Sequence, residues 1–214
     1  MERQEQMSYR VIAREATGEI VEKKSRFIAT MVPVPGEDAA AAFLDAMRKR
    51  YYDARHNCYA YIIGKDTRTE RSSDDGEPSG TAGRPMLEVL RGAQLTDVAA
   101  VVTRYFGGVL LGTGGLVRAY TQALQAAVEN SEMITMRGGV QYTVSADYTL
   151  AGKLQHLFAA EGIFVKDTIY SEQVTFCLVI PPALEEKLKK SMIELSSGRL
   201  FLEKNGYSYY EERN

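Results

Sequence analysis

The chain lacks the features that mark exported, membrane-spanning and disulfide-stabilised proteins. Its two cysteines, Cys58 and Cys177, are far apart, and each lies in an apolar, strand-like run. Such thiols are expected to be reduced and buried, and no four-ligand zinc spacing is present. The first ten residues are polar and charged, and no run of eighteen apolar residues occurs. The sequence therefore predicts a cytoplasmic protein without membrane contact.

An excess of charge is also missing. The chain has 26 basic and 28 acidic residues, and its formal charge is −2. Nothing in this balance attracts nucleic acid unspecifically, so any nucleic-acid contact must come from a local cluster of basic side chains. The length of 214 residues suits one large domain or two small ones, and 45% hydrophobic content is typical of globular proteins.

Glycines are concentrated between a strand-like run at 98–105 and a helix-like run at 116–128. A glycine turn before a helix exposes backbone N–H groups at the positive end of the helix dipole, which favours phosphate. The predicted phosphate contacts are Gly107, Gly108, Gly112, Gly114 and Gly115, with Arg55, His56, Arg84, Arg104 and Arg118 around them. A second interpretation is that the glycines only permit tight turns and close packing, and spacing alone leaves both open.

Two nucleotide-binding fingerprints are absent from this turn. No lysine followed by serine or threonine closes it, as a Walker A sequence requires. Leu116 and Val117 stand where the dinucleotide pattern needs its last glycine. The sequence therefore predicts neither a nucleotidase nor a dehydrogenase, and it implies no cofactor.

A polar segment at 65–84 contains three glycines and is predicted to be a long loop. Asp74, Asp75 and Glu77 are its candidate site residues if the loop folds toward His56. A divalent metal held by His56, Asp74 and Asp75 is one interpretation, but adjacent carboxylates in such a loop are more typical of solvated positions, so no metal is predicted. His56 is a candidate general base, yet no nucleophile accompanies it, and no catalytic residue is predicted.

The chain pattern indicates two domains, at 1–137 and 138–214, with a hinge at Arg137, Gly138 and Gly139. The first part is predicted to be α/β, with a helix at 37–50, another after Pro85 and a third at 116–128. Its strands are predicted near 9–19, 25–34, 56–64, 98–105 and 132–136. The second part shows the order β-α-β-β-α-β, the split unit of the ferredoxin-like fold.

Five segments together resemble the IMPACT family in its bacterial two-domain form. They are 25–28, 55–61, 74–83 (DDGEPSGTAG), 102–108 (VTRYFGG) and 111–116 (LGTGGL). The resemblance implies a two-domain α+β protein. Its N-terminal domain would be similar to the fourth domain of elongation factor G, a β-α sandwich, and its ferredoxin-like C-terminal domain to the fifth.

What the resemblance implies about function is less detailed. Eukaryotic relatives restrain an amino-acid-starvation kinase by competing for its ribosome-associated activator, through an N-terminal domain not found in these residues, so that partner is not carried over. For bacterial members it implies nucleic-acid or ribosome binding. We therefore predict a non-catalytic, translation-associated regulator that holds RNA or the ribosome by a phosphate backbone. The alternatives are an enzyme acting on a phosphorylated small molecule and a protein-interaction module, with a partner in the translation machinery.

Overall fold

The computed structural model describes residues 8–65 and 67–212. Their contacts form two compact units, one made of residues 9–134 and one containing residues 135 onward. The predicted two-domain α+β fold is confirmed. The boundary between residues 137 and 138 stays a prediction.

The first unit contains an antiparallel sheet in the order β2-β3-β6-β4-β5. Its strands are β2 (Ala16–Glu22), β3 (Ser25–Pro33), β4 (His56–Ile63), β5 (Thr69–Ser73) and β6 (Val98–Tyr105). The short β1 (Ser8–Ile12) precedes them and bridges Leu95 through Arg10. Because β6 and β4 pair antiparallel, the C-terminal end of β6 lies beside the start of β4, with Arg104 opposite His56.

Helices cover both faces of this sheet. They are α1 (Glu37–Arg50), α2 (Gly83–Gly92) and α3 (Thr113–Glu129). Along β6, Val98, Ala100 and Val102 belong to the core under α2 and α3, whereas Ala99 and Val101 pack with α1. This alternation is the two-residue period of a strand buried on both faces.

The predicted loop at 65–84 was wrong in one part, because it contains β5. The strand sequence TERSS has no apolar face, and β5 lies at the sheet edge, where β4 is its one partner among the described strands. Helices α2 and α3 also begin two to three residues before the predicted starts. Their first turns contain glycine, which weakens the helical pattern in the sequence.

The second unit has the predicted β-α-β-β-α-β order. Its elements are β7 (Met133–Ala146), α4 (Tyr148–Ala160), β8 (Phe164–Tyr170), β9 (Val174–Ile180), α5 (Glu185–Ser196) and β10 (Phe201–Glu211). The strands pair antiparallel in the order β10-β7-β9-β8, the split arrangement of the ferredoxin-like fold. Its core is apolar, and Asp147 caps α4 by accepting the Leu150 N–H at 2.8 Å.

Gly138 and Gly139 are strand residues and not a loop. They lie within β7, opposite Tyr209 and Ser208 of β10. A Cβ on Gly139 would lie 2.7 Å from Cγ1 of Val179, so this glycine permits close packing inside the sheet. The predicted hinge therefore falls in hydrogen-bonded strand.

Among the described residues, no helix combines the length and apolar character needed to cross a bilayer.

Candidate anion-binding site

The N-terminus of α3 lacks a cap made by a side chain. Gly112 occupies the N-cap position with φ of 73°. Among the described residues no side chain accepts a hydrogen bond from the first turn, and that turn contains no acidic residue. A Cβ on Gly114 would lie 3.8 Å from Nη1 of Arg118, so this guanidinium lies over the same turn. Exposed N–H groups beside a fixed positive charge favour an anion.

The remaining glycines of the turn permit either a tight turn or close packing. Gly108 has φ of 85° with open space around it, which suits a tight turn. Gly115 packs on Leu111, where a Cβ would lie 3.0 Å away. A Cβ on Gly107 would overlap the backbone of Lys24, and the Gly107 N–H donates to Oγ of Ser25 at 3.1 Å. Gly107 therefore serves close packing, as the second interpretation of the glycines proposed.

The close approach at Gly107 brings the backbone of two further basic residues to the turn, which sequence reasoning missed. Lys23 and Lys24 are exposed, and they form the two-residue turn between β2 and β3 with φ of 46° and 64°. Such hairpin turns usually contain asparagine or glycine, so the lysine pair gave no turn signal. The contact between Gly107 and Lys24, the Gly107 bond to Ser25 and the pairing of β3 with β6 place these lysines beside the glycines.

Arg104 is buried and paired. Its Nη1 donates to Oε1 of Glu77 at 2.7 Å, and the two side chains are only 7% and 3% exposed. The guanidinium carbon lies 5.4 Å from the ring centroid of Phe27 and 5.6 Å from that of Phe106. Since its charge is neutralised by Glu77, this geometry favours a positioning role for Arg104 over the predicted phosphate contact.

A buried polar network continues from Glu77. The hydroxyl of Tyr120 donates to Oε1 of Glu77 at 2.8 Å. The thiol of Cys58 lies 3.3 Å from that hydroxyl and 3.0 Å from the carbonyl oxygen of Asp74. Burial raises the pKa of Cys58 to about 12, so this thiol stays protonated and is not a nucleophile.

The acidic candidates hold the loop in place. The carboxylate of Asp74 accepts N–H groups from Gly80, Ala82 and Gly83 at 2.8–2.9 Å, which closes the loop and caps the start of α2. Partial burial alone would raise the pKa of Asp74, but these three bonds together outweigh it, and the pKa is lowered.

Asp75 joins the same loop to the start of β4. Its carboxylate accepts the Asn57 N–H at 2.7 Å, and its carbonyl oxygen lies 2.8 Å from Nδ1 of His56. With Glu77 paired to Arg104, all three acidic candidates therefore contact protein groups. Across residues 8–65 and 67–212, no three histidine, cysteine or acidic side chains are grouped to hold a metal ion.

Five exposed basic residues surround the turn without an ion-pair partner in the described part of the chain: Lys23, Lys24, Arg55, Arg84 and Arg118. Arg55 precedes His56 at the start of β4, beside the end of β6. Arg84 begins α2 and lines, with Gly80 and Val117, a groove of about 760 Å³ between α2 and α3. We call this set the basic rim.

Comparisons with known proteins place the chain in a family. The model of the Impact N-terminal domain matches residues 23–128, and a domain of unknown function (DUF1949) matches residues 144–199. IMPACT family member YvyE of Bacillus subtilis is 38% identical over 205 residues, which cover 96% of this chain and 94% of that protein. Protein IMPACT of Rattus norvegicus is 36% identical over 98 residues, covering 44% of this chain and 30% of that protein.

A solved structure agrees in fold. It is described as the crystal structure of a hypothetical protein, is 34% identical and has a TM-score of 0.61. The match covers 91% of this chain and 96% of that one. The YvyE match, at this identity and over nearly the full length of both proteins, shows that the chain belongs to the IMPACT family.

Proposed function

We propose that this protein is a non-catalytic regulator associated with translation, and that its first unit binds single-stranded segments of RNA, free or in the ribosome. Phosphate groups would bind the uncapped N-terminus of α3 and the basic rim. Family membership supports the link to translation, since the resemblance implies ribosome-associated roles for relatives. A cytoplasmic location is part of the proposal, because RNA and ribosomes are found there.

One observation carries the proposal. The basic rim lies around a helix N-terminus whose first turn is capped by no side chain and contains no acidic residue. The carboxylates of Asp74, Asp75 and Glu77, in the loop before α2, are held by protein groups. Positive charge is thus local in a chain of formal charge −2, as a protein that binds a phosphate backbone with a restricted surface requires.

The enzyme alternative has less support. An enzyme needs a positioned acid or base in a closed pocket, whereas the groove of about 760 Å³ beside Arg84 is open. Nδ1 of His56 is occupied by the carbonyl of Asp75, and the thiol of Cys58 is buried and protonated. The basic rim includes Lys23 and Lys24 in the turn between β2 and β3 as well as Arg84 at the groove, and a rim spread over several elements suits an extended strand better than a small molecule.

The test is a fluorescence-anisotropy titration of a labelled single-stranded RNA of about 20 nucleotides at several salt concentrations. With about three to five phosphate contacts, log affinity against log salt should have a slope of about −2 to −4. Replacing Arg84 and Arg118 by alanine should flatten the slope by about 1.4, because each single-strand contact contributes about 0.7.

The matched control replaces two arginines at the end of α1, Arg48 and Arg50, which pair with Asp45 and Glu15. This double variant loses the same charge and should keep the wild-type slope. Equal slopes for the two double variants would contradict the arginine assignment. No RNA binding by the wild type at low salt would reject the RNA proposal. Binding of a phosphorylated small molecule would then favour the enzyme, and binding of a protein would favour the interaction module.

A further inference from the structure

The glycine turn exposes apolar side chains as well as N–H groups. Phe106 is 52% exposed, Val109 43% and Leu110 81%. Single exposed apolar residues are common on protein surfaces, but three within five residues beside an anion site form a patch. This patch adjoins the phosphate site and indicates a ligand that has both charged and apolar parts.

The ring of Phe106 is held in place from below. One face lies over the guanidinium of Arg104, 5.6 Å from its carbon, and Arg104 is fixed by Glu77. The next residue, Gly107, is anchored to Ser25. Phe106 is half-exposed although Arg104 lies over one face of its ring, so the side chain keeps surface that a base can contact.

A nucleotide chain has the two kinds of group that this surface would bind. Its phosphates suit the first turn of α3 and Arg118, and its bases have flat faces that stack on aromatic rings. Aliphatic side chains of a protein partner would also cover Leu110, but they would leave the N–H groups of Thr113 to Gly115 without a charged partner. The combination of a ring and an anion site therefore favours nucleic acid.

We propose that Phe106 stacks on one unpaired base of a single strand whose neighbouring phosphate is bound at the N-terminus of α3. This inference rests on the proposed function and assigns the residue that contacts a base. Bases of a duplex are stacked on one another, so the site selects unpaired segments and tolerates any base identity. Arg104 then acts as a positioning residue that orients the ring.

The experiment uses the absence of tryptophan from the chain. The F106W variant carries a single tryptophan, in the turn itself. Its emission should be quenched when a single-stranded RNA of about 12 nucleotides stacks on the indole. An abasic sugar-phosphate oligomer of the same length has the charges but no bases, so it should bind with little quenching.

Affinity measurements separate base stacking on Phe106 from phosphate binding at the N-terminus of α3. F106A should bind the RNA about 5- to 150-fold more weakly than the wild type, the loss expected for one stacked base. F106L keeps an apolar side chain without a ring and should lose nearly as much. Wild type and F106A should bind the abasic oligomer equally. F201A is the matched control: it removes a phenyl ring that is 57% exposed in the second unit, and it should keep the RNA affinity of the wild type.

Three results would overturn the inference. Wild-type RNA affinity in F106A or in F106L would show that no base stacks on the ring, while the phosphate site would stand. Unchanged emission of F106W under saturating RNA would show the same. If neither wild type nor F106A binds the RNA or the abasic oligomer at low salt, the proposed function fails and this inference fails with it. Thermal unfolding of each variant verifies that the fold is retained.

Discussion

The ion pair between Glu77 and Arg104 in the first unit is buried, whereas the pair between Glu161 and Lys187 in the second lies at the surface, with side chains 26% and 62% exposed. Of the nine polar or charged residues that are buried among those described, eight lie in the first unit and only Ser196 lies in the second. Buried polar groups cost free energy unless they are hydrogen-bonded, so a fold that needs only stability avoids them.

The location of these buried groups shows what they do. Glu77, Arg104, Tyr120 and Cys58 join the loop after β5, the end of β6 and helix α3 at the end of the sheet that has the basic rim. The second unit is stabilised by an apolar core and shows no comparable network in residues 135–212. We infer that the polar network in the first unit fixes the geometry of the candidate site, and each prediction below tests this difference between the units.

The largest expected effect is that of Glu77→Ala. It leaves the buried guanidinium of Arg104 without a counter-charge, which should lower the free energy of unfolding of the first unit by about 3–5 kcal/mol. The matched change in the second unit, Glu161→Ala, should lower it by less than about 1 kcal/mol because that pair is exposed. Urea unfolding followed by circular dichroism measures both.

A second variant shows whether the charge itself is responsible. Replacing both members, Glu77→Gln with Arg104→Met, removes the unpaired charge, so the double variant should be less destabilised than Glu77→Ala. Equal losses for Glu77→Ala and Glu161→Ala would mean that the two units do not differ in the way described.

Asp74→Ala should have the next largest effect, about 2–3 kcal/mol, because three N–H groups lose a charged acceptor. In the second unit, Asp147→Ala removes one such bond at the cap of α4 and should cost about 1 kcal/mol. Midpoints of urea unfolding, compared at an unchanged slope, give both values.

The same carboxylate should make the first unit sensitive to acid. The pKa of Asp74 is lower in the folded protein than in the unfolded chain. Its contribution is therefore complete above the ordinary carboxyl range near pH ~4 and is lost as the pH falls through the lower folded value. Asp74→Ala should show a shallower loss of stability over that range than the wild type, and parallel curves would contradict the assignment.

The smallest expected effects are those of removing one tyrosine hydroxyl from each unit. Tyr120→Phe removes a buried bond to Glu77 and should cost about 2 kcal/mol. Tyr142→Phe removes the bond to Glu185, which also accepts from Lys204, and should cost about 1 kcal/mol. Thermal unfolding resolves this difference, and a reversed order would argue against the importance of the network.

Local pattern predicted most of the fold. Helix α1 begins and ends at the predicted residues 37 and 50, since its apolar stripe is bounded by acidic residues at the start and arginines at the end. The β-α-β-β-α-β order of the second unit was also predicted correctly, because apolar residues alternate regularly along its strands. Strand β5 was missed since an edge strand of polar residues has no periodic signal.

The site was predictable only in outline. Its segments were predicted from glycines and arginines, because glycine is typical of turns and arginine is typical of positions that bind anions. Whether Arg104 faces solvent or Glu77 depends on contacts between residues 27 positions apart, which no local pattern determines. The approach of Lys24 to Gly107 joins residues even more distant in the chain and was not predictable.

Cys58 gives the first unit a built-in reporter of local opening. Its thiol lies under the hydroxyl of Tyr120, and its pKa of about 12 leaves almost no thiolate at neutral pH. An alkylating reagent can therefore reach it only when helix α3 or the loop that contains Asp74 opens, so the rate of modification measures how often this part of the unit opens. Cys177 is half-buried in β9 and should react sooner, so mass spectra taken at several reaction times can follow both modifications.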